Sequence, residues 1–198
     1  VAKVTRRFIL ILYNSFVFWN SYAKRSDHAR VKNEPTSVLD KWVLGSLNNT
    51  VLDVTKKLER YDVGGAARMI ESFTDDLSRW YIRRSRDRFQ GVARGDLGVE
   101  GDYESASITL ETALTTLTKL IAPFMPFFSE ALYTSLGATT SVHVADWPEV
   151  QNTLIDKELL KDMQFVRDSA AKALALRAEA KIKIRQPLAK LTLKNDSL

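Results

Sequence analysis

Five arginines, Arg79, Arg83, Arg84, Arg86 and Arg88, surround Trp80-Tyr81-Ile82, with Asp75 and Asp76 just ahead of them. Guanidinium groups at this density suit one kind of chemistry: planar, permanently charged forks that bind phosphate or sugar oxygens. On a wheel of 3.6 residues per turn, Ala66, Met69, Ile70, Phe73, Leu77 and Trp80 share a side that must be buried. Arg68, Glu71, Asp75, Arg79, Arg83 and Arg86 fall opposite, with acids N-terminal to bases at i,i+4 spacing. Arg84 and Arg88 continue the apolar line beyond its last aromatic. There they either reach a polyanion or pair with Asp or Glu inside a bundle. A solvated face kept soluble by alternating charge accounts for the same stripe without a ligand.

Other chemistries find no foothold. The 198 residues contain no cysteine, which removes disulfides, thiol catalysis and cysteine-bound zinc and fits a reducing compartment. His28 and His143, the two histidines, lie far apart and without carboxylates at ligand spacing, so both read as surface or packing residues. No glycine-rich phosphate loop precedes a lysine, and no Gly-x-Ser-x-Gly elbow occurs. Asp75 and Asp76 point about 100° apart on a helix and do not share a proton. The stretch carries no active site. A net charge of +5 permits a nucleic-acid partner without requiring one.

Amphipathic helices must hold these residues in place. Phe8 to Trp19 is apolar nearly all round, interrupted by Asn14 and Ser15. It is shorter than the roughly 20 residues a bilayer needs, and no small-residue cleavage site follows, so a buried helix over 1–22 is expected and no membrane role. Asn14 in that run needs a hydrogen-bond partner. It either ties two helices together or edges a recognition surface. Asn14 and Trp19 are the candidates for contact with a base, set against a simpler role in the core.

A second helix starts at Thr36 or Ser37, with Asp40 placed to close a capping box from Ser37. Asp62 caps a third, whose Gly64 and Gly65 permit a close helix crossing. Gln90 to Gly101 holds four of the eight glycines and reads as a loop. A fourth helix over about 103–121 is broken by Pro123 and Pro126, where Phe124, Met125, Phe127 and Phe128 suggest a buried corner. A fifth helix ends near Leu136 with Gly137 as its cap, residues 141–148 read as extended, and Asp156 opens a sixth that ends near Ala180. Alternation in Ile182-Lys183-Ile184 and Leu191-Thr192-Leu193 predicts two strands around Pro187. The expected fold is mainly α: a helical bundle over 1–180 with 141–148 packed on it, then a small C-terminal strand pair in 181–198. That pair would open a truncated β-containing subdomain, and the chain, which starts at Val1, reads as a piece of a longer one.

The run Leu39-Asp40-Lys41-Trp42-Val43-Leu44, then Tyr61-Asp62, then Asp75-Asp76-Leu77-Ser78-Arg79-Trp80-Tyr81-Ile82-Arg83-Arg84-Ser85-Arg86-Asp87-Arg88-Phe89 resembles the anticodon-binding domain of class I isoleucyl-tRNA synthetases. Leu117-Thr118-Lys119-Leu120-Ile121-Ala122-Pro123-Phe124-Met125-Pro126-Phe127, Ser141 to Pro148, and Lys181 to Leu188 are similar to later blocks of that domain, and Leu12-Tyr13-Asn14-Ser15-Phe16 to the segment that leaves the catalytic core. The Leu-Asp-x-Trp and Trp-Tyr-Ile elements are shared with valyl and leucyl relatives. Arg83-Arg84-Ser85-Arg86 and Arg185-Gln186-Pro187 favour the isoleucyl group, with the valyl enzyme as the alternative. The resemblance implies a class Ia helical bundle that binds tRNA(Ile) with Arg79, Arg83, Arg84, Arg86 and Arg88. It implies a cytoplasmic parent that attaches isoleucine to tRNA with ATP and Mg²⁺, and catalytic and editing domains elsewhere in that parent. The His-Ile-Gly-His and Lys-Met-Ser-Lys-Ser signatures of ATP binding are missing from this stretch, so no cofactor is expected in it. Composition and periodicity alone fit a non-enzymatic helical interaction scaffold equally well.

Overall fold

A computed structural model of the chain describes residues 8–23, 37–94 and 100–192. Among the described residues every regular element is helical. In order these are α1 (Leu10–Tyr22), α2 (Val38–Glu59), α3 (Val63–Asp76), a π-helical turn (Leu77–Ile82), α4 (Arg83–Arg94), α5 (Glu100–Ile121), α6 (Pro126–Ser135) and α7 (Lys157–Glu179), with 3-10 turns at Val142–Val144 and Asn152–Leu154. The chain divides into two compact units, Val1–Ile155 and Asp156–Leu198.

Local chemistry starts and stops these helices. Ser37 Oγ accepts from Leu39 N at 3.2 Å, Asp62 Oδ1 from Gly65 N at 2.8 Å, and Asp156 Oδ1 from Glu158 N and Leu159 N at 3.0 Å. Each satisfies first-turn N–H groups that the helix itself leaves unpaired. A hydrogen bond from Lys57 and the one from Gly65 hold the Asp62 carboxyl below its usual pKa. Three helices end in the same closure, with N–H to C=O bonds from Asp62 to Lys57 (2.8 Å), Ala138 to Tyr133 (3.3 Å) and Ile182 to Arg177 (2.9 Å). This six-to-one bond requires a left-handed residue just before it. Tyr61, Gly137 and Lys181 supply it, with φ of 57°, 104° and 54°.

Gly65 lacks a side chain because of the cap, and no helix crossing is needed to explain it. A Cβ there would collide with the Asp62 carboxylate, whereas one at Gly64 meets only Arg68 Nη1 at 3.5 Å. Gly64→Ala is therefore expected to raise stability by up to about 1 kcal/mol. Gly65→Ala should give no gain, because the methyl displaces the capping group. Urea midpoints compare the two, and an equal gain in both variants would remove the cap from the account.

In the first unit, α2, α3 and α5 supply most of the core, with Val51, Val54, Ile70, Phe73, Leu114 and Leu117 all buried. Leu12 and Trp19 of α1 are also fully enclosed. Trp19 is therefore a core residue and not a base-contact candidate. Three local expectations change. The glycine-rich loop is shorter than its composition suggests: α4 runs to Arg94 and α5 starts at Glu100. Packing offsets the roughly 1 kcal/mol that each helical glycine costs, and Phe89 meets Tyr103 edge-on at 6.1 Å across the connection. At the proline corner Phe124 and Met125 are half-buried, but Phe127 is 92% exposed, turned out on the first turn of α6. Segment 141–148 includes a 3-10 turn. It is pinned by Ser141 Oγ and Val142 N donating to Glu130 Oε2 (2.9 Å each) and by Trp147 Nε1 donating to Thr55 Oγ1 (2.8 Å).

The second unit consists of α7 and the segment after it. Its boundary follows Ile155, whereas the sequence expectation grouped α7 with the bundle up to 180. The apolar side chains Phe165, Val166, Leu174 and Leu176 of α7 are exposed. The strand pair is a correction. Among the described residues 181–192 contain no strand, and Leu193 lies outside them. After the left-handed Lys181, Arg177 Nη2 donates to the carbonyls of Lys183 (2.6 Å), Ile184 (3.1 Å) and Gln186 (2.6 Å). Those carbonyls are the acceptors a β-ladder would have used.

Candidate nucleic-acid interface

The arginine-rich stretch does not keep a 3.6-residue period. Between Leu77 and Ile82 the helix widens into a π turn, which fits one additional residue into the winding. The buried series therefore runs Ile70, Phe73, Leu77 and then Tyr81, Ile82, Ser85 and Phe89. Trp80, placed in the core by a regular wheel, is only half-buried, and Arg84 is exposed. A π turn inside a helix is uncommon and re-aims the side chains after it. Here it turns a Trp and an Arg outward together.

Arg88 goes the other way. Its Nη1 and Nη2 grip Asp40 Oδ1 and Oδ2 at 2.7 and 2.8 Å, and its Nε donates to Asp102 Oδ2 at 2.9 Å. Asp40 has no solvent exposure, and the Arg88 side chain is 12% exposed. Tyr81 Oη (2.7 Å) and Ser105 Oγ (2.8 Å) donate to the remaining lone pairs of Asp40. Burial works against the Arg88 charge, but the hydrogen bonds to Asp40 and Asp102 outweigh it and hold the pKa above the usual guanidinium value. Burial first, then the Asp40 charge, push the Tyr81 hydroxyl well above its ordinary range, so it stays a donor. This fully satisfied network joins α2, α4 and α5. It removes Arg88 from the set able to meet phosphate, and it corrects the capping-box reading of Asp40, whose carboxylate points into the bundle.

The other arginines are presented to solvent. Arg79 is exposed and pairs with Asp75 across one turn. Arg83 and Arg86 are exposed, and no carboxylate lies within ion-pairing distance of either among the described residues. Together with Asn14, Ser15, Phe18, Ser78 and Ile82, these three arginines line an open groove between α1 and the π turn with the start of α4. Ser15, Phe18 and Ile82 give it a partly apolar floor, Ser15 donating to the Ile11 carbonyl at 2.8 Å. Arg86 lies over the Phe18 ring at 6.0 Å, and Phe18 meets Phe89 edge-on at 5.2 Å, so the floor is continuous with the core. Asn14, expected to be costly in an apolar helix, is exposed at the rim. Arg84 stacks on Trp80 with Cζ 3.8 Å from the ring centroid. Partial burial, then the neighbouring Arg83 charge, lower its pKa.

Arg83 and Arg86, like charges three residues apart, destabilise the helix by a few tenths of a kcal/mol when no anion is present. A multivalent anion reverses that sign. The groove therefore suits a phosphate backbone, which Arg79, Arg83 and Arg86 would neutralise, with Asn14 able both to donate and to accept. Among the described residues no group of three or more His, Cys, Asp or Glu side chains gathers to hold a metal ion. His143 is exposed, and His28 lies outside the described residues. Among the described residues no helix is long and apolar enough to cross a membrane. The convergence of Arg88, Tyr81 and Ser105 on Asp40 was not visible in the sequence, because nothing local announces contacts 48, 41 and 65 positions apart.

The family described as anticodon-binding domain of tRNA ligase matches residues 40–193. The isoleucine–tRNA ligase of Dehalococcoides mccartyi is 39% identical over 96% of this chain. Those of Streptomyces avermitilis and Clostridium acetobutylicum are 38% and 36% identical over 96% and 100% of it. The chain spans 19%, 18% and 20% of the length of these relatives. Among solved structures, a LeuRS from Agrobacterium radiobacter K84, in a ternary complex with tRNA and LeuAMS, superposes on 78% of this chain and 16% of its own, with a TM-score of 0.54 and 21% identity, a likeness of fold. With a family match over most of its length and the fold to go with it, the chain belongs to the anticodon-binding domains of tRNA ligases.

Proposed function

We propose that this chain is the part of an isoleucine–tRNA ligase that holds the anticodon stem and loop of tRNA(Ile). The whole protein, with its catalytic and editing domains, would attach isoleucine to that tRNA in the cytoplasm using ATP and Mg²⁺. One observation carries the reading: Arg83 and Arg86 face a common groove without a carboxylate to neutralise them, beside an exposed Arg79. The isoleucine–tRNA ligases that match nearly all of the chain supply the choice of amino acid. In this reading Arg79, Arg83 and Arg86 take backbone phosphates, Asn14 takes a sugar or base edge, and Arg88 and Trp19 hold the scaffold. Each phosphate neutralised adds roughly 0.7–0.9 to the slope of log K against log salt.

Filter binding of the 198-residue chain to an unmodified tRNA(Ile) transcript across a salt series tests this. Two to three phosphate contacts give a slope of about −1.4 to −2.7, with weaker binding to a tRNA of another acceptor identity. No binding, or binding indifferent to salt, would leave a helical scaffold without a nucleic-acid role.

A further inference from the structure

Arg84 is the exposed arginine of the cluster that does not line the groove, and its geometry differs from that of its neighbours. Its guanidinium lies over the Trp80 ring at 3.8 Å, the separation of stacked planes, and no carboxylate pairs with it among the described residues. Trp80 is half-buried, which anchors one face of the stack, and the π turn from Leu77 to Ile82 swings both residues away from the core. A flexible arginine loses side-chain entropy when laid on a ring, and with no anion to grip it gains a single flat contact in return. What that contact produces is an exposed guanidinium held over an aromatic ring beside a row of phosphate-binding groups. Such a plane is suited to the π-face of an unstacked base.

From this stacked pair and its place beside the groove we infer that Trp80 and Arg84 form a platform on which one unpaired nucleobase of the bound RNA stacks, a role separate from phosphate binding. The platform positions a loop base and accepts any base with a π-face; it holds no hydrogen-bonding edge that would choose among them. The inference rests on the proposed docking of an RNA loop in the groove, and the two are separable because stacking releases no counterions.

The test uses the 198-residue chain and an anticodon stem-loop of tRNA(Ile) sequence with 2-aminopurine at successive loop positions, and heparin as a polyanion without bases. Arg84→Lys keeps the charge and removes the plane, at an exposed position where the fold is not at stake. It should leave the salt slope and heparin binding unchanged, abolish quenching at one loop position, and weaken loop binding about fivefold or more. Trp80→Phe should keep most of the affinity and Trp80→Ala should lose it, with far-UV circular dichroism confirming an intact fold. Unchanged quenching and affinity in Arg84→Lys, or a loss that appears equally with heparin, overturns the platform. A wild-type chain that binds the stem-loop without any salt slope overturns the docking reading instead.

Discussion

Arg88→Ala is expected to destabilise the first unit by about 3–5 kcal/mol, measured by urea denaturation. The variant leaves the Asp40 carboxylate, which has no solvent exposure, with only Tyr81 and Ser105 as donors where a bidentate cation had been. Desolvating an ion is tolerable only while its partner and its other hydrogen bonds are in place. Asp40→Ala should cost somewhat less, because Arg88 keeps Asp102 at 2.7 Å on the wetter side of the pair. Removing both ends with apolar groups, as in Asp40→Leu with Arg88→Met, should recover much of the loss, since no charge is then stranded. The two alanine variants and their combination, Asp40→Ala with Arg88→Ala, make a double-mutant cycle whose coupling energy measures the pair. An Arg88→Ala protein within about 1 kcal/mol of wild type would show that the network is incidental. Because Arg88 is enclosed, Arg88→Met should also leave the salt slope of RNA binding where it was.

The second large effect is on binding and follows from the opposite environment. Arg83→Glu with Arg86→Glu lowers the formal net charge from +5 to +1. So does Lys41→Glu with Lys56→Glu, at exposed positions of α2 outside the groove. If bulk charge attracted the RNA, the two double variants would behave alike. If the groove binds it, the arginine reversal should reduce the salt slope by about 2 and weaken affinity tenfold or more at 0.1 M salt, with little change from the lysine pair. Neither variant should shift the urea midpoint by more than about 1 kcal/mol, since exposed charges contribute little to folding. Equal slopes for both would move the RNA off this groove.

These two predictions concern arginines that the sequence did not separate. It placed Arg79, Arg83, Arg84, Arg86 and Arg88 on one helix, and a regular wheel sent Arg84 and Arg88 to the core side with Trp80. That wheel fails at a single turn. Whether a helix takes in an additional residue depends on what packs against it, and here Leu77, Tyr81, Ser85 and Phe89 are the enclosed positions along the wider winding. The alternative for Arg88, pairing with a carboxylate inside the bundle, was open from composition alone. Its partner Asp40 was not identifiable, because the same acid three residues after Ser37 is also what a capping box would show.

Short-range chemistry was legible. Ser37, Asp62 and Asp156 cap the helices they were expected to cap, and Gly137 closes α6, because each such bond spans only two to five residues and the residue type alone nearly suffices. The helical class and the family resemblance were legible too, since period and motif are properties of the chain itself. Tertiary packing decided the rest. It enclosed Trp19 and exposed Asn14 on the same helix, turned Phe127 outward, and let Arg177 take the carbonyls of the segment expected to form strands. Each of those outcomes depends on which distant surface a side chain meets, and residue type and spacing carry no record of that surface.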